Sequence, residues 1–191
     1  MKFLSAVFLV LLTSCSEPKP AAAEPPTYQT LHPSNSKGTV FHFDHDGDLF
    51  LACSIHQGNN APGTKLTRHG TEDFVTIGKQ IHHQKDLRVL KFDSETIGEK
   101  TALPYHANPS VNQGDEVVIL NRGKKIRGTV RQVPTSRDHH YYFETDKAFA
   151  ADGMSGSPVF SMRLGTIVGV LQTANNKTKA TIAGFELLEM P

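Results

Sequence analysis

The sequence contains no tryptophan and only two cysteines in 191 residues, and its charges almost cancel, leaving a formal net charge of +1. A chain so nearly neutral has no long-range field that would attract nucleic acid or a strongly acidic substrate. After residue 15, no apolar run approaches the roughly 20 residues that a membrane-spanning helix requires. Helical periodicity is scarce, whereas short segments rich in β-branched residues are frequent. The composition predicts a β-rich domain that binds no nucleic acid, built as one globular unit or two small halves.

The first 15 residues have the pattern of a secretory signal. Lys2 gives a basic start, the run 3–12 is apolar, and small residues follow it. These features are typical of a signal peptide over residues 1–14 and not of a membrane span. Leu12-Thr13-Ser14-Cys15 also resembles a bacterial lipobox, in which Cys15 would become the lipidated first residue, although an incidental cysteine is the alternative. We expect a lipid-anchored protein of the bacterial cell envelope, and Ser16 after the cysteine favours the outer membrane, facing the periplasm or the surface.

The cysteine count then bears on how the domain is stabilised. A lipidated Cys15 has no thiol, so Cys53 would have no disulfide partner and the domain would depend on its packed core. Cys53 lies in an apolar run that has the pattern of a strand. We expect it to be a small buried hydrophobic residue and not a nucleophile.

Proline and turn residues divide the chain. Residues 15–37 are predicted to form a tether, because prolines among Ala, Ser and Glu bury too little apolar area to fold. From residue 38 onward, short strands alternate with turns. Asp46-Gly47 and Asn121-Arg122-Gly123-Lys124 are hairpin signals between apolar segments. No βαβ rhythm is present, so the pattern favours an all-β sandwich or barrel.

Two groupings of possible metal ligands have simpler interpretations. The acidic residues of 44–48 are spaced like a calcium loop, but Ile55 stands where the bidentate glutamate should be. If the adjacent pairs His82-His83 and His139-His140 lie in strands, their side chains point to opposite faces and neither pair can hold one ion. We therefore expect a hairpin turn and solvated or hydrogen-bonded histidines, with no metal and no cofactor.

The most specific motif is the segment 153–160, Gly-Met-Ser-Gly-Ser-Pro-Val-Phe. A serine nucleophile needs a sharp turn that exposes its oxygen, and flanking glycines allow the backbone to take that shape. A Gly-x-Ser-x-Gly spacing alone is a weak signal, but the longer string resembles the nucleophile segment of trypsin-like serine proteases. It is especially similar to that of the bacterial glutamyl endopeptidases. The resemblance makes Ser155 the expected nucleophile.

Chain order discriminates between classes of serine hydrolase. In α/β-hydrolases the histidine follows the nucleophile, whereas the trypsin-like order is His, Asp, Ser. No histidine occurs after Ser155 in this sequence. A triad of the lipase type within this sequence is therefore excluded.

Candidates for the other two triad members lie upstream of Ser155. The segment 85–92 looks like the family's aspartate segment, with Asp86 opening an apolar strand. The segment 51–56 resembles the strand that delivers the catalytic histidine, His56, although Ser54-Ile55 departs from the small residues usual there. The competing histidines between residue 38 and Asp86 lie in or before the first hairpin turn, or lack a preceding apolar run; they are His42, His45, His69, His82 and His83.

The resemblance implies a fold and a mechanism. It implies two six-stranded antiparallel β-barrels, over residues 38–105 and 106–191, with the active site in the cleft between them. Protein or peptide substrates would be cleaved through an acyl-enzyme intermediate, with His56, Asp86 and Ser155 as the triad. The N–H groups of Gly153 and Ser155 would form the oxyanion hole.

Two departures from the family pattern limit what can be carried over. Met154 stands where vertebrate-type zymogens have the aspartate that captures a new N-terminus, so that activation switch is not expected. The stretch 170–173 has no cationic residue to receive a substrate carboxylate, so glutamate specificity is not expected either. The primary pocket is expected to favour apolar or small side chains and to be lined by Phe149, Gln172, Thr173 and Ala174.

Two other functions remain compatible with the sequence. The same fold could bind peptides or act as a scaffold without catalysis, as a surface lipoprotein with a vestigial triad. The glycine-rich turn could also be accidental in a purely structural lipoprotein, in which case Ser155 would lie far from His56.

Overall fold

The computed structural model describes residues 24–26, 29–33, 38–57, 61–68, 71–95, 102–176 and 181–190. Within these ranges the regular structure is entirely β, and none of their residues belongs to a helix that is long and apolar enough to cross a membrane. The predicted signal peptide, Cys15 and the first part of the predicted tether lie outside the described residues.

Six antiparallel strands from the first half of the chain close into a barrel. They are β1 (Leu31–Pro33), β2 (Val40–His45), β3 (Asp48–Ser54), β4 (Lys65–Arg68), β5 (Phe74–Gln84) and β6 (Leu87–Glu95). Their order around the barrel is β1-β4-β5-β6-β3-β2, and the pairing of Leu31 with Val40 closes it. A two-residue strand, β7 (Leu103–Pro104), adds in parallel beside β2.

The second half of the chain forms another closed barrel. Its strands are β8 (Glu116–Asn121), β9 (Lys124–Gln132), β10 (Tyr141–Thr145), β11 (Pro158–Ser161), β12 (Thr166–Asn176) and β13 (Thr181–Leu187). They follow the order β10-β13-β12-β11-β8-β9, and all neighbours are antiparallel. The predicted all-β fold of two six-stranded barrels is confirmed.

The apolar side chains of the strands are buried in three hydrophobic cores. One core fills the first barrel and includes Leu51 and Cys53, so Cys53 is buried as predicted. Another fills the second barrel around Phe143 and Phe185. A third lies between the barrels, and there the alternate residues of β2 and β3, such as Ala52, pack against the second barrel. Because β2 and β3 bury residues on both faces, the run from Val40 to Phe43 is apolar except for the buried His42, and Leu51 to Cys53 is apolar throughout.

Both predicted hairpin turns are present. In the first, Asp46 and Gly47 have positive φ, and in the second Arg122 and Gly123 do, which is the type I′ geometry of a two-residue hairpin loop. The carboxylate of Asp44 accepts the N–H of Gly47 at 3.1 Å and so caps the first turn.

The structure adds a strand where the sequence predicts a tether. Leu31–Pro33 pairs with both β2 and β4, and Leu31 is buried in the first-barrel core. Glu24 also reaches the second barrel, where its carboxylate lies 3.3 Å from Arg127. The folded unit therefore begins before residue 38, and the burial of Leu31 in the first-barrel core stabilises this added strand.

Candidate active site

His56 and Asp86 meet at the same end of two paired strands. His56 follows the end of β3 and Asp86 precedes the start of β6, and the two strands pair with Ser54 opposite Leu87. The carboxylate of Asp86 accepts two hydrogen bonds from His56, one from its backbone N–H at 2.8 Å and one from Nδ1 of its ring. The carbonyl of Asp86 also accepts the N–H of Ile55 at 2.7 Å.

These two hydrogen bonds fix the orientation and the tautomer of the imidazole ring of His56. A neutral histidine carries its proton on one nitrogen, and a carboxylate at Nδ1 selects the tautomer with the proton there. The other nitrogen, Nε2, then has its lone pair available to accept a proton. The ring of His56 is about half-exposed, so this nitrogen can be reached from the cleft.

Glu186, a buried residue of β13 in the second barrel, contacts the backbone of Asp86. Its carboxylate accepts the backbone N–H of Asp86 at 3.1 Å and lies 2.9 Å from Nε2 of His139. Burial raises the pKa of Glu186, and burial lowers the pKa of His139. Glu186 was not among the residues predicted from the sequence.

Gln172 is the second support, and it joins the two barrels. Its Oε1 accepts the hydroxyl of Ser54 at 2.6 Å, and its Nε2 lies 3.4 Å from the carbonyl of Asp86 and 3.4 Å from Glu186. The side chain is buried in these contacts. The side chain of Gln172 therefore contacts the backbone of Asp86, while the backbone carbonyl of Gln172 accepts a hydrogen bond from Ser155.

Ser155 lies in a tight turn over residues 151–157, which we call the nucleophile turn. The N–H of Met154 donates to the carbonyl of Ala151 at 3.0 Å, and Gly153 has φ 75°. Positive φ at the third residue is the mark of a type II turn. The turn places Ser155 at its apex, partly exposed, with its hydroxyl donating to the carbonyl of Gln172 at 3.3 Å.

The nucleophile turn lies directly against the first barrel. The N–H of Thr39 donates to the carbonyl of Ser155 at 3.0 Å. Gly156 has φ 86°, and a Cβ at this position would lie 2.0 Å from the carbonyl oxygen of Thr39. Only glycine therefore permits the two barrels to approach this closely at Ser155.

The structure brings the three predicted triad residues to one junction of the barrels, but it does not join all of them by hydrogen bonds. His56 and Asp86 are bonded directly. Across the described ranges, no hydrogen bond links Ser155 to His56, because the serine hydroxyl is directed to Gln172. Bonds of this kind are often long or absent without substrate and tighten only when it binds.

The four predicted pocket residues are placed differently from one another. Phe149 and Ala174 pack against the second-barrel core, and the N–H of Phe149 donates to Thr181 at 3.2 Å. Thr173 is exposed on β12, whereas the side chain of Gln172 points into the barrel interface. Phe149 also lines a cavity of about 350 Å³ beside β9, but the other three residues do not.

The pair His139-His140 differs from the prediction. The two residues precede β10 and are not part of a strand, so their rings stack with centroids 4.2 Å apart and do not point to opposite faces. With Asp138 they place possible ligand atoms within 4.8 Å of one another. Protein groups already occupy these atoms, since His140 donates to Asp138 at 3.0 Å and His139 contacts Glu186. The expectation of hydrogen-bonded histidines holds, although its geometric reason was wrong.

Comparisons with known proteins agree with this architecture. The family described as a trypsin-like peptidase domain matches residues 35–170, well over half of the chain. No curated protein sequence matches the chain.

Three solved protease structures share the fold at low identity. The Rv3671c protease of M. tuberculosis, in its inactive form, is 16% identical with a TM-score of 0.58, over 88% of this chain and 87% of that one. Kallikrein-related peptidase 10 in complex with Zn²⁺ is 15% identical with a TM-score of 0.60, over 86% and 93%. The HtrA-type protease AlgW with a decapeptide is 14% identical with a TM-score of 0.55, over 79% of this chain and 48% of that one.

Proposed function

Because the chain belongs to the trypsin-like peptidase family, we propose that it is a serine endopeptidase with His56, Asp86 and Ser155 as its catalytic triad. The observation that carries the proposal is the double hydrogen bond from His56 to Asp86, at the junction where the nucleophile turn meets the first barrel. This arrangement holds the imidazole in the tautomer that a general base requires.

The proposed reaction is acyl transfer in two stages. The hydroxyl of Ser155 turns from the carbonyl of Gln172 toward Nε2 of His56, gives up its proton there and attacks the scissile carbonyl. The resulting imidazolium is stabilised by Asp86 and returns the proton to the leaving amine. Water then enters, loses a proton to the same nitrogen and attacks the acyl carbonyl. The bond from Oγ of Ser155 to the acyl carbon breaks, and the nitrogen returns the proton to Oγ as the acid product leaves.

The oxyanion is proposed to bind to the N–H groups of Gly153 and Ser155. In the type II turn around Gly153, glycine at the third position allows the peptide orientation that other residues resist. Fixed donors of this kind stabilise the charge that develops on the carbonyl oxygen, and each is worth roughly 10²- to 10³-fold in turnover.

Cleavage of a denatured protein by the full chain, purified in detergent, tests the proposal. We expect discrete fragments from the wild-type chain and none from Ser155→Ala. The control is Ser110→Ala, which removes a hydroxyl from an exposed residue outside the site and should cleave normally. Equal cleavage by wild type and Ser155→Ala would refute the proposal, and a folded wild-type chain without activity would favour the peptide-binding alternative.

We further propose that the substrates are proteins or peptides cleaved after small or apolar residues. Phe149 and Ala174, like Met154 of the nucleophile turn, are partly buried apolar residues packed against the second-barrel core, and the stretch 170–173 carries no cation. The structural relative AlgW was solved with a decapeptide. Profiling on a peptide library tests the specificity, and strict cleavage after Lys, Arg or Glu would contradict it.

The lipid anchor is a separate proposal that rests on the sequence of residues 1–15. We expect the mature protein to carry acyl chains on Cys15 and to be held at a bacterial membrane, most favourably the outer one. Metabolic labelling with a fatty acid should mark the wild-type protein and not Cys15→Ala. Equal labelling of the two would contradict the anchor.

A further inference from the structure

A buried polar network connects the first barrel to the nucleophile turn. Asn121, at the end of β8, donates from Nδ2 to the hydroxyl of Thr39 at 3.0 Å and to the hydroxyl of Ser157 at 2.6 Å. The hydroxyl of Thr39 donates to the carbonyl of Gly153 at 3.0 Å, and that of Ser157 donates to the carbonyl of Met154. All three side chains are at most 4% exposed.

The direction of every bond in this network is fixed by proton count. A hydroxyl has one hydrogen, and a carbonyl can only accept. Because Thr39 and Ser157 each give their hydrogen to a carbonyl of the turn, both hydroxyls must receive their remaining bond as acceptors. Asn121 must therefore present its NH₂ group, whose two hydrogens match the two acceptors.

The two carbonyls held by the network fix the peptides on both sides of Met154, and one of these peptides carries the proposed oxyanion donor of Ser155. In a trans peptide the C=O and N–H point in opposite directions. Holding the carbonyl of Met154 inward therefore turns the N–H of Ser155 outward. The carbonyl of Gly153 and the N–H of Met154 are both bonded, which fixes the peptide that follows Gly153 and keeps the type II turn closed.

Met154, the residue before Ser155, bears on how the nucleophile turn is stabilised. Vertebrate-type zymogens have an aspartate at this position, which pairs with the ammonium group of a new N-terminus. Met154 cannot form that ion pair, and its side chain packs against the second-barrel core. The turn is instead held from within by neutral hydrogen bonds that exist in the chain as it stands. Nothing in this arrangement requires a new N-terminus.

We propose that Asn121 is a positioning residue that, through Thr39 and Ser157, holds the oxyanion-binding turn in its working form without proteolytic activation. The proposal rests on the proposed peptidase function and adds to it a mode of regulation: the enzyme is active as folded. Partly satisfied buried networks are costly, so loss of one bond should loosen the whole turn.

Two near-isosteric variants of the full chain test the proposal. Asn121→Asp replaces the donor with an acceptor that competes for both hydroxyl hydrogens, and Thr39→Val removes one hydroxyl. We expect kcat on a peptide substrate to fall about 10²-fold in each, as for loss of an oxyanion donor, with KM within about twofold. Thr39→Ser keeps the hydroxyl and should retain most of the activity.

Hydrogen exchange of the segment 150–158 provides a readout that does not depend on catalysis. We expect faster exchange in Asn121→Asp and Thr39→Val than in wild type and Thr39→Ser. Unchanged kcat and exchange in both folded variants would overturn the proposal. Activity that appears only after a cleavage that removes Cys15 and residues beyond it, followed by intact mass, would also overturn it. Protected exchange in a wild-type chain that cleaves nothing would refute the peptidase function and leave the positioning role supported.

Discussion

The two barrels hold their parts of the candidate site in different ways. In the first barrel, His56 and Asp86 are placed by strand register, since β3 and β6 are neighbours and end together. In the second barrel, Ser155 lies outside any strand, in a turn held by backbone hydrogen bonds and by the side chains of Thr39, Asn121 and Ser157. His56 and Asp86 are therefore placed by a regular strand ladder, whereas Ser155 is placed by an irregular turn that also needs buried polar side chains.

This difference predicts how each half should fail. A change at His56 or Asp86 alters chemistry without disturbing the ladder that carries them. A change in the nucleophile turn or in the side chains that contact it should alter both local structure and activity, because the turn has no regular ladder to preserve its shape. The barrels also support each other, since Glu186 and Gln172 of the second barrel bond to Asp86 of the first.

The largest expected effect is the loss of activity on changing Asp86, which strand register places beside His56. Asp86→Asn leaves a side chain of the same shape but removes the carboxylate that selects the Nδ1–H tautomer of His56. We expect kcat for peptide cleavage to fall roughly 10⁴-fold, as for the corresponding change in a trypsin-like triad, with a thermal midpoint close to wild type. A loss below tenfold would show that Asp86 does not orient the base.

Gly156→Ala should destabilise the protein where the nucleophile turn packs against the first barrel. The new methyl group would meet the carbonyl of Thr39 at 2.0 Å, on a residue with φ 86°. We expect destabilisation of about 3 kcal/mol or more in urea unfolding, from the clash and the backbone strain together. Gly63→Ala is the matched control, because its φ is 85° but nothing lies within 4 Å. Equal losses for the two variants would mean that the close approach of the barrels is unimportant.

Glu186→Gln should change the pH dependence of stability at the contact between the halves. The pKa of Glu186 is raised by burial, so its contribution is complete below its unfolded pKa and is lost as pH rises through the folded value. The stability of Glu186→Gln relative to wild type should therefore increase as pH is raised from about 4, where an unfolded glutamate titrates.

Glu189→Gln serves as the comparison for that measurement. It removes the same charge three residues away, from a partly exposed position. It controls for the loss of one negative charge, and the upward trend with pH is the result expected of Glu186→Gln. Parallel curves for Glu186→Gln and wild type, measured by thermal unfolding at each pH, would contradict the buried role of Glu186.

The smallest effect is expected at Asp138, on the loop that carries His139. The bonds from the backbone N–H and ring of His140 lower the pKa of Asp138 to about 2. Its stabilisation is present above the unfolded value of about 3.9 and is lost as pH falls toward the folded one. Asp138→Asn should slightly lower the thermal midpoint at pH 5, with the difference shrinking toward pH 2. A constant difference would show that these bonds do not depend on the ionised carboxylate.

The three residues that the structure brings to the junction of the barrels could be named from the sequence because their signals are local. The string 153–160 and the pair Asp86-Leu87 at the start of β6 are short, and the absence of a histidine after Ser155 excluded a triad of the lipase type. The alternation of short strands and turns predicted an all-β fold, but the two-barrel arrangement came from family resemblance. Strand patterns alone do not distinguish a barrel from a sandwich.

The supporting residues could not be predicted because their partners are remote in sequence. Glu186 bonds to a residue 100 positions away, and Asn121 to one 82 positions away. A lone glutamate in a strand or an asparagine at a hairpin has no pattern that distinguishes it from a solvated residue. The strand Leu31–Pro33 was hidden for a similar reason, since it lies in a proline-rich segment and its partners lie elsewhere in the chain.

Labelling with a fluorophosphonate probe tests the central claim most directly, because only a serine activated by a base reacts readily. The account predicts one adduct per folded chain, located by mass spectrometry on Ser155, absent in Ser155→Ala and strongly slowed in Asp86→Asn. A folded chain that forms no adduct, or forms it on another serine, would contradict the assignment of His56, Asp86 and Ser155 as one catalytic unit.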